Sequence, residues 1–158
     1  MTESIRHEKE TSGTRAVILI GHGSRAAGAD DDMEKIAEGL RKSSCGIVET
    51  CRMSGRGIPF AEAFERCVGQ GAQEIIVLPY FLHFGIHIRE DIPEILRQSA
   101  GRHPEVRLVL GRHLGFDDAL VHLVAKRIGE SESLCDVREL APVPIDCCPG
   151  DAPEEKLP

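Results

Sequence analysis

The sequence predicts an α/β fold, a small parallel sheet of about four strands flanked by helices. Two observations carry this expectation. Four short apolar runs, AVILI at 16–20, GIVETCRM at 46–53, EIIVLPY at 74–80 and VRLVLGR at 106–112, are spaced like βαβ units of roughly 30 residues. The segments between them place apolar residues at helical spacing. Strands alternating with helices imply right-handed crossovers and a sheet covered on both faces. In such sheets, ligands gather beyond the carboxyl ends of the strands.

Each element has its own warrant. The run at 16–20 is fully apolar, β-branched at Val17, Ile18 and Ile20, and ends in GHGS, as a buried parallel strand should. In the helix that follows, Met33, Ile36, Ala37 and Leu40 fall on one face. Asp30, Asp31 and Asp32 stand at its start, where negative charge complements the helix dipole. After the second strand, the loop SGRGIP leads to FAEAFERCVGQG, which turns Phe60, Ala63, Phe64 and Cys67 inward and stops at glycine. The third strand is the strongest apolar run. The next helix is expected from about Glu90, with Ile92, Ile95 and Leu96 inward and Pro93 in its first turn. FDDALVHLVAKRI, at 116–128, is the last helix. The organisation expected is a flexible leader at 1–14, one domain at 15–128 and an acidic, proline-containing, disordered tail at 129–158.

Composition narrows the function. The chain has 158 residues, 41% apolar and 28% charged, ordinary for a soluble globular domain. No apolar run approaches the roughly 20 residues that span a bilayer, and MTESIRHEKETSGTR has no apolar core of a secretory signal. The expectation is a cytoplasmic protein without a membrane partner. Of the net charge of −7, eight acidic and two basic residues lie in 129–158, so the body is close to neutral. No basic stripe or aromatic platform suggests nucleic acid, with one Tyr and no Trp. None of the six cysteines forms a C-x-x-C pair. Cys51 and Cys67 sit in apolar-patterned segments, as reduced thiols packing like small hydrophobes, and Cys147 and Cys148 lie in the tail.

The chemistry concentrates at two strand ends. GHGSR at 21–25 is neither a dinucleotide fingerprint nor a phosphate loop, and Ser24 is not in G-x-S-x-G. What remains is His22 between glycines that allow close approach of a ligand. After the third strand, His83-Phe-Gly-Ile-His87 lacks the glutamate of H-E-x-x-H, and Gly85 disfavours a helix there. A loop with imidazoles on the sheet edge fits better. Neutral imidazole binds Fe²⁺, Co²⁺ and Ni²⁺ and accepts a proton near neutral pH. The end of the second strand and its loop bring Arg52, Ser54 and Arg56 to the same rim. His7, His103, His113 and His122 take ordinary surface or loop roles.

VILIGHGSR at 17–25, GAQEIIVLPYFL at 71–82, G-x-H-x-x-E-D-I-P at 85–93 and LGFDDAL at 114–120, in this order and spacing, resemble the small sirohydrochlorin chelatases. These are class II tetrapyrrole metal chelatases of the cobalamin and siroheme pathways. The resemblance covers 16–128 and implies a half-unit of the longer, two-domain architecture. It implies ATP-independent insertion of a divalent metal, foremost Co²⁺, into sirohydrochlorin, with metal as substrate and no permanent cofactor. By match to the family motifs, His22 and His87 are the metal-binding and proton-accepting pair. Leu82, His83, Phe84, Gly85 and Ile86 correspond to the macrocycle-contacting loop, His83 as an auxiliary. Arg25, Arg56 and Arg89 are candidates for the carboxylates of the polyanionic ring, since guanidinium binds carboxylate bidentately. Some relatives carry a glutamate at the end of the second strand. Here no carboxylate lies between Cys51 and Pro59, which puts a third protein ligand from this strand in doubt: either the metal is held more loosely or Glu90 helps.

Two alternatives stay open. Within the enzyme class, the ion inserted is iron or nickel, because imidazole serves all three. In a different class, the chain is a non-catalytic metal carrier using its histidines and the Cys147-Cys148 tail. The short members of the family resemble homodimers that reproduce the longer architecture. Val121, Leu123, Val124 and Ile128 of the last helix offer a candidate contact.

Overall fold

The computed structural model describes residues 14–23, 31–43, 45–54, 57–83 and 85–139. Along the chain run β1 (Arg15–Gly21), α1 (Asp31–Ser43), β2 (Ile47–Arg52), α2 (Phe60–Gly69) and β3 (Glu74–Pro79). A π-helical turn (His87–Asp91) leads into α3 (Ile92–Ala100), followed by β4 (Arg107–Leu110), α4 (Asp118–Ser131) and a 3-10 turn at Val137–Glu139. The chain divides into two compact units, Met1–Gly115 and Phe116–Pro158.

In the first unit the four strands form one parallel sheet in the order β2-β1-β3-β4, as the alternating pattern predicts. The order explains which face each helix covers. The chain steps from β1 to β2 in one direction, then reverses across β1 to reach β3 and continues to β4. Right-handed crossovers place helices on opposite faces when the direction reverses. Accordingly α1 packs on one face and α2 and α3 on the other, and the alternation of β1 divides its side chains between them. Val17 and Leu19 join Met33, Ala37 and Val48 on the α1 side. Ala16, Ile18 and Ile20 join Phe60, Ala63, Phe64, Cys67, Ile92 and Leu96 on the other. Phe64 is fully buried, which contributes about 1.5–3 kcal/mol. Cys51 and Cys67 are buried free thiols, and burial pushes both up to about 12, so they pack as inert hydrophobes.

Three expectations need correction. Ile36 does not pack inward with Met33 and Ala37 but is 41% exposed, because α1 meets the sheet along the Met33–Ala37 line, with Leu40 packed beside it. The same helix is fixed to β2 by Arg41, which donates to the Val48 carbonyl at 2.6 and 2.8 Å and to Glu34 at 2.7 Å. Second, helical structure begins at His87, ahead of the start expected at about Glu90, and it begins as a π-helical turn over 87–91. Pro93 lacks the N–H that would continue an α-helical ladder back to residue 89, and a wide turn accommodates that gap. Ile88 is buried beneath it, and the N–H groups of Ile88 and Arg89 both donate to the Gly85 carbonyl. Third, α4 runs past Gly129 to Ser131 and the 3-10 turn follows, so the expected boundary at 129 falls within helix. The leader to residue 13, and the tail from residue 140 with Cys147 and Cys148, lie outside the described residues.

In the second unit α4 begins at a well-formed cap, the Asp117 side chain accepting the Ala119 N–H at 2.8 Å. The helix buries no residue, and Val121, Leu123, Val124 and Ile128 are exposed.

Candidate functional site

The reversal of strand order lies between β1 and β3. That is the topological switch point, where loops leave adjacent strands in opposite directions and open a crevice. His22 is the first residue after β1. The segment 80–91 leaves β3 beside it, and Tyr80 extends the β3 pairing by donating to the Ile20 carbonyl at 2.8 Å.

Neighbouring strands hold His22 from both sides. From β2, Met53 N–H donates to the Gly21 carbonyl at 3.0 Å, and the Ser54 hydroxyl donates to the His22 carbonyl at 3.1 Å. From β3, the Phe81 ring stands edge-on to the imidazole with centroids 6.2 Å apart. Gly23 has φ 96°, and a Cβ there would lie 1.8 Å from the Ser54 carbonyl oxygen. Only glycine permits that crossing of two backbones. The side chain of His22 itself is exposed, in position to meet a ligand.

The β3–α3 connection leaves the same edge of the sheet. Leu82 and Ile86 are 53% and 61% exposed, an uncommon display of large apolar side chains beside a histidine-bearing edge. His83, Gly85 and Arg89 are exposed in the same connection, and the His87 backbone opens the π-turn. Of the residues expected from sequence, the fold therefore gathers His22, Leu82, His83, Gly85, Ile86, His87 and Arg89 at one end of the sheet. Arg25, Arg56 and Phe84 lie outside the described residues. Glu90 is exposed in the π-turn. Beside the β2 end, a cavity of about 150 Å³ is lined by Met33, Thr50, Cys51, Arg52, Gly57 and Ile58.

Two participants escape sequence reasoning. Phe81 reads simply as the end of an apolar run, and nothing local marks it as a ring against His22. Ser54 is visible as a rim residue, but its bond to a carbonyl beyond β1 is a long-range contact. A further histidine lies away from the site. His103 bridges Glu105 through Nδ1 at 3.0 Å and Glu65 through Nε2 at 3.1 Å, with its ring tilted on Phe64 at 5.6 Å.

Fold and site together define an open parallel α/β protein with an imidazole-bearing, partly apolar edge at the switch point of its sheet. The CbiX family profile matches residues 16–131, and the chain belongs to that family. It is 32% identical over 124 residues, 78% of its length, to the sirohydrochlorin ferrochelatase of Priestia megaterium, of which it covers 47%. It is 38% identical over 137 residues to the sirohydrochlorin cobaltochelatase of Methanocaldococcus jannaschii, covering 71% of this chain and 96% of that protein. Among solved structures, the sirohydrochlorin chelatase SirB from Bacillus subtilis subspecies spizizenii, in complex with cobalt, superposes with a TM-score of 0.69 at 31% identity, over 74% of this chain and 50% of that one. The chain thus spans about half the length of the Priestia and Bacillus relatives and nearly the whole of the archaeal one.

Proposed function

We propose that this chain catalyses ATP-independent insertion of a divalent metal into sirohydrochlorin, with Co²⁺ as the foremost ion. The observation that carries the proposal is the placement of His22 after β1 and His87 after β3, on the two sides of the switch point. Metal insertion removes two protons from pyrrole nitrogens while the metal sheds its own ligands. A positioned imidazole serves both needs, because the neutral ring accepts a proton and binds first-row divalent ions without holding them irreversibly. His22 and His87 take these roles, with His83 as an auxiliary contact. Leu82 and Ile86, with Phe84, offer apolar surface to the flat macrocycle, while Arg89, Arg25 and Arg56 meet its peripheral carboxylates. Metal and tetrapyrrole are both substrates, and no permanent cofactor enters.

Iron or nickel insertion is the alternative within the same chemistry, and a relative named for iron supports the first of these. The non-catalytic metal carrier gives no reason for exposed Leu82 and Ile86 beside the histidines. The deciding experiment is anaerobic incubation of the protein with sirohydrochlorin and Co²⁺, Fe²⁺ or Ni²⁺ in turn, followed by absorbance. Fastest insertion with Co²⁺ is expected. Metal binding without spectral conversion of the macrocycle with any of the three would favour the carrier and overturn the chelatase reading.

A further inference from the structure

We infer that Ser54 is a positioning residue for His22, an inference that rests on reading His22 as the proton-accepting, metal-holding imidazole. His22 leaves β1 between two glycines, and its side chain is exposed. An imidazole so placed has a pliable backbone on either side, whereas chemistry at a metal needs a fixed one. The end of β2 supplies what the local sequence lacks. Regular pairing of β1 with β2 ends at Gly21 opposite Arg52. Beyond it, three consecutive residues of the β1 exit are each engaged by the segment after β2. Met53 N–H donates to the Gly21 carbonyl at 3.0 Å. The Ser54 hydroxyl donates to the His22 carbonyl at 3.1 Å. The Ser54 carbonyl occupies the space where a side chain on Gly23 would begin.

The ladder is thereby extended by one residue through a side chain, at the position where the backbones diverge. The His22 carbonyl is the acceptor, so the hydroxyl fixes the peptide plane that follows the His22 Cα and with it the direction in which the imidazole projects. Ser54 is exposed and has no part in the core, so its replacement leaves the fold intact and its effect is confined to this edge. Phe81 limits the ring from the opposite strand. In sheet order β2-β1-β3, the two braces stand on either side of the strand that carries the histidine.

The test compares Ser54→Ala and Ser54→Thr with the unaltered chain in two measurements. In the metal-insertion assay, Ser54→Ala lowers kcat about tenfold with little change in KM for the tetrapyrrole, and Ser54→Thr, which keeps the hydroxyl, restores kcat to within about threefold. In parallel, histidine-selective ¹³C labelling follows the His22 ring resonance, assigned by its loss in His22→Gln. It shifts or broadens in Ser54→Ala and returns in Ser54→Thr. A Ser54→Ala protein with unaltered kcat, or with an unmoved His22 resonance, overturns the inference. If the unaltered chain inserts no metal, the functional reading fails, and the resonance measurement still decides whether Ser54 positions His22.

Discussion

The imidazole of His22 and the ring of Phe81 meet edge to face, their centroids 6.2 Å apart and their planes at 74°. Such a T-shaped contact directs the edge of one ring at the electron-rich face of the other. The two residues leave adjacent parallel strands, β1 and β3, at the same end of the sheet. The contact therefore fixes the histidine by tertiary structure, since the glycine-flanked local sequence does not. It also leaves the ring accessible, because His22 remains exposed.

The first prediction concerns the histidine pair. His22→Ala and His87→Ala each lower metal insertion by about 10²- to 10⁴-fold, the usual cost of removing a positioned base. His22 is exposed and outside the buried clusters, so circular dichroism and thermal midpoint of His22→Ala stay close to those of the unaltered chain. His83→Ala changes macrocycle affinity more than turnover. Turnover near the unaltered level in either of the first two variants sinks the assignment.

A second prediction sets two glycines against each other. Gly23 lies at φ 96° with the Ser54 carbonyl in the path of any Cβ, so Gly23→Ala destabilises the chain by at least about 1–3 kcal/mol, the cost of a strained backbone. Gly39 lies on an exposed turn of α1 where a Cβ meets nothing within 4 Å. Gly39→Ala stabilises by about 0.5–1 kcal/mol through reduced freedom of the unfolded chain and better helix propensity. Urea denaturation reads both, and equal effects of the two substitutions would contradict the backbone geometry around His22.

A third prediction concerns pH. The hydrogen bond with Glu105 is the largest influence on His103 and raises its pKa above the ordinary histidine value. Partial burial opposes the rise, and the charge of Glu65 adds to it. The groups facing the ring are Glu65 and Phe64 from α2 and Glu105 before β4. Both ring nitrogens approach carboxylates, an arrangement in which only the protonated ring donates twice. A raised folded-state pKa means that this stabilisation is fully present below the unfolded value, about 6.5, and is lost as pH rises through the folded value. The stability difference between the unaltered chain and His103→Gln is therefore positive at acidic pH and shrinks as pH rises. A difference that grows with pH would show that the ring is held neutral.

These features differ in how far the sequence reveals them. The strands and α2 were legible because burial on regular elements writes a period into the chain. Phe60, Ala63, Phe64 and Cys67 are all buried at the spacing of one helix face. Strand ends were legible as chemistry because a parallel sheet leads every β-to-α loop to the same edge, which places His22 and the 82–91 segment together without any contact being known. The π-turn was not, since the same Pro93 that suits a helix start also suits a widened turn before it, and residue periodicity does not distinguish them. The partners of His22 and His103 were hidden for a different reason. Ser54, Phe81, Glu65 and Glu105 reach them through tertiary or loop geometry, and no local pattern encodes a single contact of that kind.

The last prediction concerns assembly. The chain spans about half the length of the Priestia and Bacillus relatives. Ile76 and Leu78 of β3 and Val109 of β4 lie on the side opposite α2 and α3 and are only partly buried. In the second unit, α4 carries Val121, Val124 and Ile128 at helical spacing, all exposed. An apolar row of this kind on one helix offers a surface for association, and a second copy of the same chain would bring a like row to it with two-fold symmetry. A homodimer is therefore expected, with α4 as its candidate contact. Sedimentation equilibrium at micromolar concentration should return about twice the 17.3 kDa chain mass. Val124→Glu places a charge in the proposed contact and should move the mass toward that of one chain. A monomer that is fully active at that concentration rules out the dimer as a requirement, and the site must then be complete within a single chain.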